Sequence, residues 1–315
     1  MAAAKNILIV GSIAYDHVMT YAKSFKEVML PEHYDVALTT QSHIVSFGGC
    51  GGNIAYNLRL LGEQPLLLTV TGKDFKQYQD RLMQMGVKLD GVYVSDKFPT
   101  ATAFIISDPE GHQITVFDGG AMNAVDTAVT VESLGGTGEI AYAMIAPDKP
   151  ERMVRIADEC HKLGVPYLID PAQQLNNFKP EDLMRMIQNA FVLILNEYEA
   201  DLLSKKIGVP HEQIQSLPKN YIETHGAKGC TIRSTEGMFF VRAVQPARVL
   251  DPTGCGDSFR AGVLAGLMKG KDFQTACQMG ALIATYNLEH PGSQDHNFTM
   301  EEFKARLENT FGTTL

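Results

Sequence analysis

The chain has 315 residues, 45% of them hydrophobic and 20% charged, with a formal net charge of −9. That composition suits one large α/β unit, and the acidic balance without a long basic run argues against nucleic acid or a membrane surface as partner. Five widely spaced cysteines without a CxxC pair point to reduced thiols in a cytoplasm, no signal peptide is expected, and no apolar run is long enough for a bilayer.

Residues 5–11 (Lys-Asn-Ile-Leu-Ile-Val-Gly) read as a buried strand ending in glycine, the mark of a parallel sheet. Ser12 and Asp16 follow its C-terminal end, the edge where open α/β sheets bind ligands. Taken alone, Asp16 is a simple turn residue. Residues 17–47 break the α/β rhythm, with Pro31 ahead of short strands at 36–40 and 44–47. A second strand-rich patch covers 101–117, where Asp108-Pro109-Glu110-Gly111 turns a β-hairpin. The two insertions, about 17–47 and 98–120, are expected to pair into a small β-sheet serving as a lid on a single unit spanning 1–315.

Between them, Gly48, Gly49, Gly51 and Gly52 precede Asn53 and a helix that stops at Gly62. This is neither a Walker A loop nor a GxGxxG fingerprint. Four glycines so close together are costly to order, so the expectation is a polar-ligand loop with Asn53 facing hydroxyls, ahead of a turn for close helix packing. Strand–helix alternation then resumes. Strands are expected at 66–71, 140–146, 165–170, 191–195 and 221–224, with a hairpin at 231–234 and 238–242. Helices are expected at 74–85, 150–163, 181–188, 197–204, 256–268, 272–288 and 300–309. The pattern implies a doubly wound, mostly parallel sheet flanked by helices.

Polar groups gather at several strand ends. Asn196 and Glu199 share a face of a starting helix, where oxygens suit Mg²⁺, although locally a plain helix cap with a first-turn acid is the better reading. Thr224, Gly226 and Gly229 form a glycine turn able to meet a nucleotide's phosphates, or simply a hairpin connection. Asp170 closes another strand with a weaker signal. His211, His290 and His296 read as surface residues without metal spacing, and no GxSxG elbow is present. The most informative stretch is Asp251-Pro252-Thr253-Gly254-Cys255-Gly256-Asp257, followed by an amphipathic run. Glycines and a helix N-terminus converge amide donors on an anion, most plausibly a phosphoryl group. A carboxylate there needs a task, and general base toward a hydroxyl is the obvious one; the alternative is a helix cap.

Together these motifs resemble the ribokinase-like carbohydrate and nucleoside kinases over almost the full chain. Gly48-Gly49-x-Gly51-Gly52-Asn53 resembles the N-terminal family signature, Asn196-x-x-Glu199 the magnesium and phosphate motif, Thr224-x-Gly226-x-x-Gly229 the nucleotide turn, and 251–257 the C-terminal signature. The resemblance implies a doubly wound α/β fold with a β lid, and ATP and Mg²⁺ as cofactors. It implies Asp257 as base and the amides of Gly254, Cys255 and Gly256 as anion hole. Asp16, Gly49 and Asn53 would hold substrate hydroxyls, Asn196 and Glu199 would organise Mg²⁺ partly through water, and Thr224, Gly226 and Gly229 would contact ATP. Asp251, Thr253 and Gly292 would neighbour a K⁺ ion. The family includes monomers and homodimers.

Two positions depart from the family pattern. Cys255 stands where alanine is usual, and its place at a helix N-terminus predicts a lowered thiol pKa and oxidant sensitivity. Cys50 stands in the variable position of the first loop, where ribokinase has lysine. Lys97 and His112 are the only basic candidates for a phosphorylated sugar. The aromatic and apolar residues Phe47, Phe104, Ile106 and Phe117 suit a sugar carrying a flat base. The expected activity is phosphorylation of a nucleoside 5′-hydroxyl, adenosine to AMP, as in purine salvage. A ribokinase- or fructokinase-like sugar kinase is the alternative, and a non-catalytic nucleoside or sugar sensor a more distant one.

Overall fold

The computed structural model describes residues 5–28 and 36–315. Pro31 and the rest of 29–35 in the first insertion lie outside the described residues. Nine strands form the main sheet: β1 (Asn6–Val10), β4 (Pro65–Thr71), β5 (Lys88–Val94), β8 (Ile140–Ile145), β9 (Tyr167–Ile169), β10 (Val192–Asn196), β11 (Asn220–Thr224), β12 (Gly229–Ser234) and β13 (Gly237–Arg242). Their order is β13-β12-β11-β10-β9-β8-β1-β4-β5, all parallel except β12, which runs antiparallel to both its neighbours. The chain runs outward from β1 through β4 to β5, then returns to the other side of β1 at β8. The crevice between β1 and β8 is therefore the topological switch point.

Alternate β1 residues feed two cores, as expected of a strand covered on both faces. Ile7 and Ile9 pack with helices α1 (Cys50–Leu60), α9 (Cys255–Met268), α10 (Phe273–Leu288) and α11 (Met300–Phe311). Leu8 and Val10 pack with α5 (Pro150–Leu163), α6 (Pro180–Gln188) and α7 (Glu197–Ile207). The remaining helices are α2 (Lys76–Gln84) and three short ones, α3 (Gly120–Ala124), α4 (Gly136–Glu139) and α8 (His211–Ile214).

The two insertions do meet in a second sheet, ordered β3-β2-β6-β7, from β2 (Ala14–Tyr21), β3 (Thr40–Gly48), β6 (Ala101–Ser107) and β7 (Gln113–Asp118). Three strand expectations need correction. Of the two short strands expected before Gly48, 44–47 lies within one longer strand, β3, whereas 36–39 forms no strand, and the partner of β3, β2, carries Asp16 in mid-strand instead of in a turn. β5 was not anticipated, because Lys88 and Asp90 give it the charged face of a sheet edge.

Helices α9 and α10 touch backbone to backbone. A Cβ at Gly262 would lie 2.5 Å from the Gly280 Cα, and one at Gly266 2.6 Å from the Ala276 Cα. This contact fixes the axis of the helix that begins at the 251–257 motif. Gly262→Val is expected to lower the melting temperature sharply, with a loss of roughly 3 kcal/mol. Gly138→Ala, whose Cβ meets nothing within 4 Å, should leave it nearly unchanged. Thermal unfolding of both variants checks this.

Candidate active site

Gly254 takes a left-handed turn (φ 79°) into α9, and a Cβ there would lie 2.6 Å from that of Ser293. The Ser258 amide closes the first helical bond on the Gly254 carbonyl at 2.9 Å. Among the described residues the amides of Gly254, Gly256 and Asp257 bond no backbone acceptor, which leaves three donors at the helix N-terminus. The Cys255 amide was expected among them, but it bonds the Pro252 carbonyl at 3.2 Å. Asp257 takes the third place.

Asp257 is 7% exposed. Its Oδ2 accepts from Asn53 Nδ2 at 2.9 Å, and Arg260 Nη1 lies 3.6 Å from its Oδ1. Arg260 also pairs with the buried Asp170 at the end of β9. Burial pushes the Asp257 carboxyl up to about 7, with the Asp16 charge adding and the Asn53 and Cys50 hydrogen bonds opposing. Asp16 is itself pushed up to about 6, by burial and then by Asp251. Three acidic groups thus share one poorly solvated region.

Asn53 does not present a free amide. Its Oδ1 accepts from Ser293 Oγ at 2.8 Å and Gln294 Nε2 at 3.0 Å, while its Nδ2 serves Asp257. It is a positioning residue for the carboxylate. The glycine loop is also more structural than expected. Gly49 has φ 83°, and a Cβ there would sit 2.5 Å from the Ser12 carbonyl. A Cβ on Gly51 would sit 2.6 Å from the Gly11 carbonyl. A Cβ at Gly48 would overlap the Asp16 carboxylate, and one at Gly52 the Tyr78 hydroxyl. The amides of Cys50, Gly51 and Gly52 all bond Ser12, at 3.1, 2.9 and 3.3 Å. Close packing accounts for these glycines, and only Gly48 makes room for a functional side chain.

At the switch point a cavity of about 290 Å³ lies between the two sheets. Ser12 and Pro147 floor it, Thr115, Phe117 and Met122 cover it, and Gln173 and Gln174 stand at its side. Cross-strand register places Asp16, Ala103 and Phe117 on one face of the small sheet. Phe104 and Ile106 lie on the opposite face, and Phe47 packs on Tyr78 with ring centroids 4.6 Å apart. Of the four residues expected to meet a base, only Phe117 reaches the cavity. Strand alternation could have sorted them, but β2 had been missed.

The remaining motif residues fall in two places. Asn196 and Glu199 form a reciprocal capping box at α7, at 2.8 Å each way, which leaves Glu199 Oε1 free. Thr224 lies opposite Asn196 in the ladder, and its hydroxyl donates to the Leu195 carbonyl at 3.4 Å. Gly226 (φ 56°) and Gly229 (φ 123°) bend the β11–β12 turn, where a Cβ on Gly229 would strike the backbone of β13. Asp251 gathers Thr253 and Gly292 by accepting their amides at 2.9 and 3.0 Å.

Two side-chain expectations fail. The Cys255 thiol is pushed up to about 11, by burial above all, with Asp251 and Asp257 adding and the Asn287 contact opposing. It turns back onto the α10 carbonyl of Ala284 at 3.6 Å, away from the free amides, and is a protonated thiol at neutral pH. His296 is fully buried, bonds Asn57 at 2.8 Å, and is held down at about 4 by burial. Sequence reading also missed Ser293, Gln294, Asn287, Arg260 and Tyr78. Asn287 braces the anion turn by donating to the Thr253 carbonyl at 2.7 Å. Ser293, Gln294, Asn287 and Tyr78 carry no local signal, since each acts on a residue far away in the chain, whereas Arg260 follows Asp257 by three positions on one helix face, a spacing that could have been read.

Residues 4–299 match the pfkB carbohydrate kinase family, and the chain belongs to it. The family's members are phosphotransferases that act on hydroxyl groups. The structure resembles that of a nucleoside kinase from Burkholderia thailandensis, solved with inosine, at a TM-score of 0.87 and 36% identity over 98% of this chain and all of that one. The sequence is 28% identical to a nucleoside kinase of Methanocaldococcus jannaschii, covering 96% of this chain and 97% of the relative. It is 26% identical to the ribokinase of Bacillus subtilis, covering 96% and 99%.

The raised pKa of Asp257 has a cost in stability. The folded chain holds that proton more tightly than the unfolded chain, whose carboxyl titrates near 3.8. This contribution to stability is present at low pH and is lost as pH rises from roughly 4 through 7. Asp257→Asn should therefore melt higher than the wild type at pH 8, by roughly 2 °C or more, and the gap should close toward pH 4. Melting curves across pH decide it.

Proposed function

We propose that this pfkB-family member is an ATP-dependent kinase for the 5′-hydroxyl of a purine nucleoside, with adenosine, converted to AMP, as the acceptor expected from sequence. Purine salvage would be its setting. The observation that carries the reading is the cavity beside Ser12. It offers the Phe117 ring for stacking and the Gln173 and Gln174 amides, which both donate and accept. A free sugar would leave that equipment without a partner. Inosine in the Burkholderia structure supports a purine nucleoside.

Asp257 takes the proton from the acceptor hydroxyl as the oxygen attacks. Asn53 holds the carboxylate in line, and the Asp257 position on α9 keeps it beside the free amides. ATP supplies the phosphoryl group. The unpartnered amides of Gly254, Gly256 and Asp257 fit its oxygens and the charge that develops on them. Arg260 stands next to the same turn and tempers the negative charge there. The Thr224–Gly229 turn would hold the nucleotide. Glu199 Oε1, the oxygen left over by the capping box, would meet a water of Mg²⁺. Asp16 would bind the ribose hydroxyls from the small sheet, which serves as the lid. Asp251, Thr253 and Gly292 would neighbour K⁺.

A coupled ADP-release assay with Mg²⁺-ATP tests the reading against adenosine, inosine, ribose and fructose. The expected result is turnover with the nucleosides at least tenfold above either sugar. Turnover confined to ribose would establish the ribokinase-like alternative. In the same assay kcat/KM should rise with pH through about 7, where Asp257 loses its proton. Asp257→Asn should lower kcat by roughly a thousandfold or more.

A further inference from the structure

A second polar cluster lies on the other face of the sheet from the anion turn. Thr224 and Ile222 of β11 point toward the α9–α10 side, so Tyr221, Glu223 and the following His225 point toward α7 and α8. There they line a cavity of about 360 Å³ with His211, Thr231 and Arg233. The Arg233 guanidinium donates to the Gln215 carbonyl at 2.9 Å.

Within this cluster the donor atoms of Glu197, Glu223 and His225 all lie within 4.8 Å of one another. His225 Nδ1 is 3.0 Å from Glu197 Oε1 and 4.0 Å from Glu223 Oε1. Yet this nitrogen is fully buried and makes no hydrogen bond of acceptable geometry. The other ring nitrogen, Nε2, is engaged with Thr231 Oγ1 at 2.9 Å. Glu223 is oriented in the same way. Its Oε2 takes the Tyr221 hydroxyl at 2.6 Å and His211 Nε2 at 3.1 Å, which leaves Oε1 turned to His225. His211 in turn is anchored on Asp201 at 2.9 Å.

His225 and Glu223 thus have their outer atoms held by a second residue, Thr231 for the one and Tyr221 with His211 for the other, while Glu197 closes the group from the solvent side. That is the arrangement of ligands with an outer shell. His225 Nδ1 and the two carboxylates converge with no hydrogen bond of acceptable geometry at that nitrogen, which leaves a place that a cation would fill. With metal–nitrogen and metal–oxygen bonds near 2.0–2.2 Å, tetrahedral donors sit about 3.3 Å apart. The observed 3.0 and 4.0 Å separations bracket that value. One imidazole and two carboxylates select a borderline divalent transition ion over Ca²⁺ or Mg²⁺, which prefer oxygen alone.

We propose that His225, Glu223 and Glu197 form a binding site for one divalent transition-metal ion of the zinc class, separate from the anion turn. Glu197 and His225 directly follow Asn196 and Thr224, the last residues of β10 and β11. A bound ion therefore clips the ends of these two neighbouring strands together from the face opposite Thr224.

Titration of the metal-free full chain with Co²⁺ alone, without nucleotide or Mg²⁺, tests the site. One equivalent should bind with the visible d–d absorption of a low-coordinate N/O site, and Zn²⁺ should displace it. His225→Asn and Glu223→Gln should each weaken binding more than tenfold, while Asp257→Asn should not. Glu197→Gln, on a side chain 60% exposed, folds whatever happens to the buried variants and should weaken binding more than threefold. Absence of saturable Co²⁺ binding by the wild type, or binding that survives Glu197→Gln and either other cluster variant unchanged, would overturn the proposal. So would binding lost only in Asp257→Asn.

Discussion

The hydrogen bond from Asn53 to Asp257 joins residues 204 positions apart, and the centre is built around it. A carboxylate in a region this dry favours its proton. To act on a hydroxyl near neutral pH it needs donors that are themselves held in place. Asn53 supplies one, and Ser293 and Gln294 hold Asn53 by its carbonyl oxygen, so the amide cannot flip. Gln294 also reaches the hydroxyl of Tyr78, which donates to the Gly48 carbonyl. The first glycine loop, the segment after α10 and the start of α9 therefore form one network. The result is a carboxyl group poised near 7 instead of one locked in either state.

Such a network needs three chain segments at close range, and glycine makes that approach possible. Gly51 lets α1 rest on the end of β1, where Ser12 takes up its free amides. Gly262 and Gly280 let α9 and α10 touch, which brings Asn287 onto the anion turn. The first glycine cluster and the helix–helix contact serve the same end, since both set the position of the α9 N-terminus relative to Asn53.

The sequence was legible where one local pattern dominates. The parallel strands and their helices follow from apolar runs and caps, and the β6–β7 hairpin from its Asp-Pro-Glu-Gly turn. The 251–257 motif was legible as a turn into a helix N-terminus because its glycines and helix start are contiguous. Legibility ended where a residue's partner is distant. Asn53 could be read as a free amide only while Ser293 and Gln294 were unplaced. The faces of Phe104 and Phe117 could not be assigned without the register between β2 and β6. The thiol of Cys255 was misread because a helix N-terminus acts on the group that points at it, and this one points back at α10.

Two cysteines, Cys50 and Cys255, stand near the Asp257 carboxyl. Cys50 is half-buried beside Asp257, and desolvation drives its thiol pKa well up, with the Asp257 charge adding to the effect. It is therefore a neutral S–H donor to the carboxylate, a weak one. A lysine at this position, as in ribokinase, would bring a full positive charge and hold the carboxyl in its ionised form well below neutral pH. The thiol gives less support, and Asp257 stays near 7 as a result. A carboxylate of that basicity is a stronger proton acceptor than an ordinary one, which suits an alcohol nucleophile. The neutral side chains around Asp257 are thus a determinant of its reactivity as much as the carboxylate itself.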